Sequence, residues 1–291
     1  MSDAPAMTAR VLGGRYEVTA VLKRCLGIET LRGIDLQTGA PVVIKQTAAA
    51  DVPAGAQLRL EHEAHVLREL ASPWMAPLLD VRLEGSTLYL VMPYVAGVTL
   101  AELIARGPLS MSYALAVGRG VMRALQAAHD RGVLHRDVKP ANVIVGEESQ
   151  PERVTLVDFG LARSSHLDAS LRDLPVGSVS YMSPEQAGLI HTEVGERSDL
   201  YSAGVLLFEC LAGRRPFDGV TIGEVLRQHL ALRPPALRTI GVRVPRAVDD
   251  LVQRLLAKDP RDRYQSAAAV LADLDDISSA LERGRDGQLS G

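Results

Sequence analysis

The 291-residue sequence is poor in cysteine and in aromatic residues, with two cysteines, one tryptophan and three phenylalanines. Cys25 and Cys210 are too far apart in the sequence to match a metal-ligand spacing, and two cysteines do not make a disulfide scaffold in a chain of this length. Chains without such a scaffold are typical of reducing compartments. We therefore expect a cytoplasmic location.

Long hydrophobic runs are also missing. Residues 1–10 contain no apolar segment like the core of a secretion signal. The apolar run at residues 205–208 ends at Glu209, and even the six apolar residues at 267–272 are far fewer than the roughly 20 that cross a bilayer. The sequence therefore predicts no membrane segment.

A strong charge of one sign is absent as well, because the formal net charge at pH 7 is -3. A chain so near neutrality gives no electrostatic reason to expect nucleic-acid binding. Hydrophobic residues make up 47% of the sequence and charged residues 23%, as in soluble globular proteins. A chain of this length can bury a sizeable core, in one large domain or in two lobes.

The N-terminal third has the alternating pattern and the turns of a mostly antiparallel sheet. Turns at residues 37–40 and 84–86 separate segments of strand-like sequence. Apolar residues at helical spacing predict one helix at residues 56–71. We expect residues 1–14 to form a tail and residues 15–95 to form the first domain. The five predicted strands are residues 16–22, 30–35, 42–45, 78–83 and 87–92.

The pattern changes to helices near residues 94–97. Ser110 can cap the first long helix, and Gly132 suits its C-terminal end. Residues 197–211 are apolar around most of the helix, which is typical of a buried central helix. We expect a second domain at residues 96–281 and a polar tail or linker at 282–291. The predicted helices are residues 111–128, 197–211, 222–230, 246–256 and 266–281.

Polar side chains with distinct chemistry are concentrated in a loop at residues 133–142. This loop carries Asp137, Lys139 and Asn142, and a second acidic residue, Asp158, follows a later apolar run. Phosphoryl transfer needs positioned groups and charge stabilisation more than covalent help from the protein, and these side chains can supply both. Taken singly, an aspartate in a loop is more often a turn former.

The two loops resemble the H-R-D-x-x-x-x-N and D-F-G motifs of protein kinases. Residues 177–185, which end in Ser-Pro-Glu, resemble the substrate-docking loop of bacterial-type (Hanks-type) serine/threonine kinases. Asp199 resembles the family's aspartate that braces the catalytic loop. Arg263 resembles the arginine that pairs with the glutamate of the docking loop, here Glu185. The resemblance extends over about residues 16–281. It implies an α+β, bilobal protein-kinase fold, in which a small lobe has a five-stranded antiparallel sheet and one helix and a larger lobe is mainly helical.

The resemblance also implies roles for the loop residues. Asp137 would orient the substrate hydroxyl, and Lys139 would neutralise charge on the transferred phosphoryl group. Asn142 and Asp158 would bind Mg²⁺ or Mn²⁺, with ATP as the phosphoryl donor. Lys139 also favours serine or threonine over tyrosine as the acceptor, in a protein substrate or in the kinase itself.

Nucleotide binding is implied for residues on both sides of the domain boundary. Lys45 resembles the lysine of the family's V-A-I-K motif, and Glu63 stands where the family has its carboxylate partner. Glu61 fits that role less well because it falls on another face of the predicted helix, and Glu69 because it is further off in register. The remaining implied residues are Leu22, Val43, Met92, Tyr94, Val95 and Ile144. For any one apolar member of this set, simple core packing is an equally good interpretation.

The family's glycine-rich turn, G-x-G-x-x-G-x-V, is absent. Counting back from Lys45 places it at residues 23–30, where Lys23, Cys25 and Ile28 replace the three glycines. Side chains on this hairpin would limit the approach of backbone amides to the phosphates.

Three interpretations are therefore open. The chain can be an active kinase with weakened or rearranged nucleotide binding, or a pseudokinase-like regulatory module that keeps the fold without turnover. In either case it can be the N-terminal part of a larger signalling protein. The retained Lys45, Asp137, Asn142 and Asp158 favour the active kinase, because function must be argued from the site rather than from the fold.

Overall fold

The computed structural model describes residues 10–25, 27–48, 66, 68, 72–146, 153–159 and 179–289. The chain divides into two compact units, one formed by residues 1–71 and 76–95 and the other by residues 72–75 and 96–291. The predicted helix at residues 56–71 lies outside the described residues, apart from Val66 and Arg68, which are helical.

Among its described residues, the first unit forms an antiparallel sheet of six strands in the order β1-β2-β3-β4-β6-β5. The strands are β1 Val11–Leu12, β2 Tyr16–Cys25, β3 Ile28–Asp35, β4 Pro41–Ala48, β5 Asp80–Glu84 and β6 Thr87–Pro93. The prediction of five strands was wrong by one. The additional strand, β1, lies in the predicted tail and pairs with the start of β2. Two residues are too few to show the alternation from which a strand is predicted.

The core of the first unit lies on one face of this sheet. In β4, Val42 and Ile44 are fully buried, whereas Val43 and Lys45 are half-buried on the opposite face. This alternation is that of a strand with one covered face. The buried apolar side chains that pack together are Leu12, Tyr16, Val18, Leu31, Val42, Ile44, Tyr89 and Val91.

The turn after β1 ties the two edges of the sheet together. The backbone N–H of Gly13 donates to the Glu84 carboxylate at 3.0 Å, and the Arg82 guanidinium donates to the Gly13 carbonyl at 3.3 Å. Glu84 and Arg82 belong to β5, the strand at the opposite edge. The Tyr16 hydroxyl also donates to Asp80, at the start of β5, at 3.0 Å. These bonds curl the sheet around its core.

The second unit combines helices with a small antiparallel sheet of β7 Val98–Thr99, β8 Val143–Val145 and β9 Val154–Leu156. Its helices are α1 Leu100–Ile104, α2 Met111–His129, α3 Glu196–Ala212, α4 Ile222–Ala231, α5 Arg246–Leu255 and α6 Ala267–Leu289, with short 3₁₀ turns at Pro140–Asn142 and Pro260–Asp262. Every residue of α3 from Ser198 to Phe208 is buried, which confirms the predicted central helix.

Two features of the helical unit differ from the sequence prediction. Helix α1 was not predicted, because its five residues are too short for a helical pattern. Helix α6 continues to Leu289, beyond the predicted end at residue 281 and through the predicted tail. Gly284 and Gly287 lower helix propensity there, but no proline interrupts the backbone hydrogen bonds. None of the helices in the described ranges is both long and apolar enough to cross a membrane.

The close packing of the turn after β1 against Tyr89 can be tested by replacing Gly13 with alanine. Gly13 has a φ of +56°, and an added Cβ would lie 2.2 Å from the hydroxyl oxygen of the buried Tyr89. Gly14 is the matched control, because its φ is +65° but a Cβ there would meet nothing within 4 Å. Gly14→Ala should cost about 1 kcal/mol for the left-handed backbone alone. Gly13→Ala should cost about 1–2 kcal/mol more in the free energy of unfolding measured with urea. Equal losses for the two variants would contradict the close packing at Gly13.

Candidate active site

The loop between α2 and β8 takes its shape from a buried carboxylate. Asp199, in the first turn of α3, accepts hydrogen bonds from the backbone N–H of His135 at 2.8 Å and of Arg136 at 2.7 Å. It also accepts from Nε2 of His129, the last residue of α2, at 2.9 Å. Arg136 has a φ of +64°, a conformation that costs a residue with a side chain about 1–2 kcal/mol. The predicted bracing role of Asp199 is confirmed, and its bonds hold the loop in a strained shape.

His135 links this loop to the end of β9. Its side chain is buried, and its Nε2 lies 2.9 Å from the Val157 carbonyl, which can only accept a hydrogen bond. Nε2 therefore carries the proton, and Nδ1 accepts from the backbone N–H of Asp137 at 3.2 Å. Burial lowers the pKa of His135, in agreement with a neutral ring. The ring meets that of Phe159 edge-on, with centroids 4.5 Å apart, so the segment after β9 is held as well.

Gln186 binds the backbone carbonyl of Arg136. Its Nε2 donates to the Arg136 carbonyl at 3.1 Å, while its Oε1 accepts from the N–H and from the hydroxyl of Ser183, both at 3.1 Å. The backbone N–H of Arg136 is thus bonded to a side chain 63 residues further along the chain, and its C=O to one 50 residues further along. The sequence analysis missed Gln186, because no local pattern indicates a contact over this distance.

Three of the predicted site residues meet at the Asp137 carboxylate. The Lys139 ammonium lies 2.6 Å from Oδ2, and the Asn142 amide nitrogen lies 3.0 Å from the same oxygen. The amide nitrogen also donates to the Asp137 backbone carbonyl at 2.8 Å. The extended backbone at Lys139 and the 3₁₀ turn that follows it bring these groups together. A carboxylate oriented in this way can accept the proton of a hydroxyl group.

Asp158 is fixed relative to the same loop through the backbone. The Val157 N–H donates to the Asn142 carbonyl at 2.9 Å, and Asp158 follows with a φ of +69°. Because the two hydrogen bonds of the Asn142 amide nitrogen both go to Asp137, the side-chain oxygen of Asn142 is directed elsewhere. A carboxylate and an amide oxygen are ligands that Mg²⁺ accepts. The donor set of Asp158 and Asn142 therefore fits a divalent metal.

In the first unit, Lys45 and Val43 lie on the sheet face opposite the core. Val43 is paired with Met92 of β6, and Lys45 is paired with Leu90. The strand continues past Lys45 to Ala48, so Lys45 is an internal residue of β4 and not its end as predicted. Glu63, the predicted partner of Lys45, lies outside the described residues.

The other predicted nucleotide-binding residues are distributed over both units. Leu22 is the unpaired residue of a β-bulge in β2, and its side chain is 50% exposed. A bulge of this kind redirects a side chain. Tyr94 and Val95 follow β6 and are half-buried, and the Tyr94 ring lies 4.5 Å from the Arg32 guanidinium. Ile144, in β8 of the second unit, is also half-buried.

The hairpin that lacks the family's glycines is paired up to its tip. Its ladder ends with Cys25 opposite Ile28. Next to the tip, Arg24 donates to the Glu29 carboxylate at 2.6 Å, and Gln46 of β4 donates to the other carboxylate oxygen. The bond from Arg24 lowers the pKa of Glu29. The hairpin is thus a continuous ladder with side-chain cross-links, and not the bare loop that glycines would allow.

The described part of the predicted docking loop, residues 179–185, is anchored by an ion pair. The Arg263 guanidinium donates to both carboxylate oxygens of Glu185, at 2.6 and 3.0 Å, and the Ser198 hydroxyl donates at 2.7 Å. The exposed fractions of the Arg263 and Glu185 side chains are 0% and 1%. Burial raises the pKa of Glu185, but the hydrogen bonds from Arg263 and Ser198 outweigh it, so the pKa is lower than usual. The predicted pairing of Glu185 with Arg263 is confirmed.

Comparison with known sequences finds protein kinases. Residues 29–273 match the family described as the protein kinase domain. The chain is 34% identical over 280 residues to the serine/threonine-protein kinase PknL of Mycobacterium tuberculosis, which covers 94% of this chain and 68% of PknL. It is 35% identical over 219 residues to the serine/threonine-protein kinase PrkC of Bacillus subtilis, which covers 74% of this chain and 33% of PrkC. The chain spans about a third of the length of several curated relatives that it matches.

Comparison with solved structures also finds kinase domains. The kinase domain of Mycobacterium tuberculosis PknI matches with a TM-score of 0.74 and 26% sequence identity, and the match covers 94% of this chain and 100% of that domain. This similarity extends over both the sheet unit and the helical unit.

The buried ion pair predicts a pH-dependent stability. The folded-state pKa of Glu185 lies below its ordinary value of 4.5, so its stabilising effect is present above that value and is lost as the pH falls through the folded pKa. At pH 7, Glu185→Gln should lower the free energy of unfolding by about 3–5 kcal/mol, because it leaves Arg263 buried without an anionic partner. The difference from wild type should shrink below about pH 4.5.

The control for this experiment is Asp259→Asn. Asp259 pairs with Arg261 on the surface, where the side chains are 36% and 82% exposed. Its loss should cost less than about 1 kcal/mol at pH 7 in urea unfolding. A cost for Glu185→Gln that is as small as the control, or that does not change with pH, would contradict the role given to the buried pair.

Proposed function

The chain belongs to the protein kinase family, and we propose that it transfers the γ-phosphoryl group of Mg·ATP to serine or threonine residues of proteins, including itself. The family match confirms the predicted α+β protein-kinase fold and the resemblance to bacterial serine/threonine kinases.

The observation that carries the proposal is the arrangement around Asp137. Its Oδ2 is bonded to both Lys139 and Asn142, so the carboxylate is held in one orientation within a loop that Asp199 braces. In the proposed reaction, Asp137 orients the acceptor hydroxyl and receives its proton. The Lys139 ammonium places a positive charge beside the Asp137 carboxylate and can also stabilise negative charge on the transferred phosphoryl group.

The residues of the chain also fit the nucleotide and the metal. Asn142 and Asp158 offer an amide oxygen and a carboxylate, the hard donors that Mg²⁺ takes. Bound Mg²⁺ would neutralise negative charge on the phosphate oxygens. Lys45 would bind the phosphates from the sheet unit. Leu22, Val43, Met92, Tyr94, Val95 and Ile144 would contact the adenosine part, with Glu63 orienting Lys45.

A regulatory module without turnover is the second candidate, and one observation favours it. The β2–β3 hairpin is paired to its tip and cross-linked by Arg24 and Glu29, so it does not offer the bare backbone on which the family's phosphate contacts depend. The retained catalytic loop argues for turnover, whereas the hairpin argues for weak nucleotide binding. The two candidates differ in phosphate transfer, which the next experiment measures.

The first test compares wild type with Asp137→Asn in transfer of radiolabelled phosphate from Mg·ATP to casein and to the protein itself. The variant should lose about 10²–10⁴-fold of the rate, since the amide cannot take up the hydroxyl proton. Asp130→Asn is the control, because Asp130 is an exposed residue just after α2. If wild type and Asp137→Asn give the same background while both bind ATP, the regulatory module is the correct function.

The second test restores glycine in the hairpin. Lys23→Gly/Cys25→Gly should lower the KM for ATP, with a smaller effect on kcat, because backbone amides can then approach the phosphates. Lys23→Ala/Cys25→Ala is the matched control, since it shortens the side chains without freeing the backbone. An unchanged KM in the glycine variant would show that the hairpin side chains do not obstruct the nucleotide. An equal fall in the alanine variant would assign the effect to side-chain bulk.

A further inference from the structure

The backbone of the docking loop is held by side chains from outside the catalytic loop. His229 in α4 lies 3.1 Å from the Ser180 carbonyl, and Ser202 in α3 donates to the Tyr181 carbonyl at 2.7 Å. Arg215 donates to the Ser180 hydroxyl at 2.6 Å. Two successive carbonyl groups are therefore fixed by two different helices.

The contact from His229 is the last step of a directed series of hydrogen bonds. The Ser180 carbonyl can only accept, so Nε2 of His229 carries the proton and donates it. Nδ1 is then an acceptor, and it receives the Tyr201 hydroxyl at 2.9 Å. The Tyr201 oxygen accepts in turn from the Lys258 ammonium at 3.4 Å. We call Lys258, Tyr201 and His229 the docking relay, because each donor in the series points towards Ser180.

The docking relay lies in the interior of the helical unit. His229 and Tyr201 are fully buried, and burial lowers the pKa of His229 to about 3, so the ring is neutral as the series requires. Lys258 is half-buried, and burial together with Arg263 lowers its pKa to about 7. Its ammonium also donates to the Gln228 carbonyl at 3.2 Å. Polar groups in such a place are costly unless every one of them is bonded.

Tyr201 also connects the docking relay to the anchor at the other end of the docking loop. The Arg263 guanidinium lies over the Tyr201 ring, 4.7 Å from its centroid, and the same guanidinium binds Glu185. The ring of Tyr201 thus packs against the Glu185 anchor, while its hydroxyl group acts on Ser180 through His229. The two functions of this side chain can be separated by removing the hydroxyl alone.

We propose that Lys258, Tyr201 and His229 are positioning residues for the protein substrate, which set its affinity by fixing the docking loop at Ser180. The inference rests on the proposed kinase activity. The hydrogen bonds of Tyr201 and His229 within the described residues go to each other, to Lys258 and to Ser180, and not to the side chains of Asp137, Lys139 or Asn142. The docking relay should therefore act on binding of the acceptor and not on ATP or on the chemical step.

The main test is the kinetics of Tyr201→Phe and His229→Phe with casein as the acceptor. Tyr201→Phe keeps the ring under Arg263 and removes only the hydroxyl. Each variant should raise the KM for casein about fivefold to tenfold, because each weakens or removes the one hydrogen bond from His229 to the Ser180 carbonyl, while kcat and the KM for ATP change less than about twofold. The double variant should be no worse than the single variants, because either change interrupts the same series.

The matched control is Tyr264→Phe. Tyr264 is also buried, its hydroxyl bonds Asp273 at 2.5 Å, and its ring lies 4.3 Å from the Arg254 guanidinium. Its hydroxyl bonds a residue of α6 and not the docking loop, so the loss of this hydrogen bond should leave the KM for casein equal to that of wild type. An unchanged KM in Tyr201→Phe, an equal rise in Tyr264→Phe, or a loss confined to kcat would overturn the proposal.

Hydrogen exchange gives a readout that does not depend on turnover. The backbone amides of residues 180–183 should exchange faster in Tyr201→Phe and His229→Phe than in wild type and in Tyr264→Phe. Unchanged exchange in this segment would overturn the docking relay even in an active enzyme. Faster exchange in a protein that transfers no phosphate to casein would support the docking relay as a device that fixes this loop, and would count against the proposed activity alone.

Discussion

The helical unit depends on one buried carboxylate. Asp199 accepts three hydrogen bonds, two from the backbone of His135 and Arg136 and one from His129. Three donors and the nearby N-terminus of α3 offset the cost of burying its charge. Because α3 is buried along its length, its packing fixes Asp199, and Asp199 fixes the backbone that presents Asp137. The packing of α3 therefore sets the backbone geometry of the loop that carries the proposed catalytic residue.

The same physical device recurs in the helical unit. Backbone groups of functional loops are bonded by side chains that come from distant, well-packed helices, as with Gln186 on the Arg136 carbonyl and His229 on the Ser180 carbonyl. Such bonds hold a loop in one shape before any ligand arrives, which lowers the cost of reaching a productive geometry. The hairpin of the sheet unit is held differently, by its own ladder and by the Arg24–Glu29 pair. The chain thus combines a loop that is braced by distant helices with a β2–β3 hairpin that lacks the glycines of its family.

Sequence patterns predicted most of the elements that are long and strongly periodic. The buried helix α3 and the capped helix α2 were predicted within one or two residues, because apolar spacing and capping are local properties. The pattern was uninformative for β1, which has two residues and exists only because its partner strand lies beside it. The pattern also placed the end of α6 too early, because Gly284 and Gly287 lower helix propensity there without interrupting the backbone hydrogen bonds.

Which side chains lie together in the candidate site follows from the sequence. Asp137, Lys139 and Asn142 belong to one short loop, so their spacing allows them to meet, and the family resemblance implies their proposed roles. How that loop is held depends on the tertiary structure. The left-handed backbone at Arg136, the bonds from Asp199 and Gln186, and the docking relay all join residues far apart in the chain. Such contacts form only when the core has assembled, so no local pattern records them.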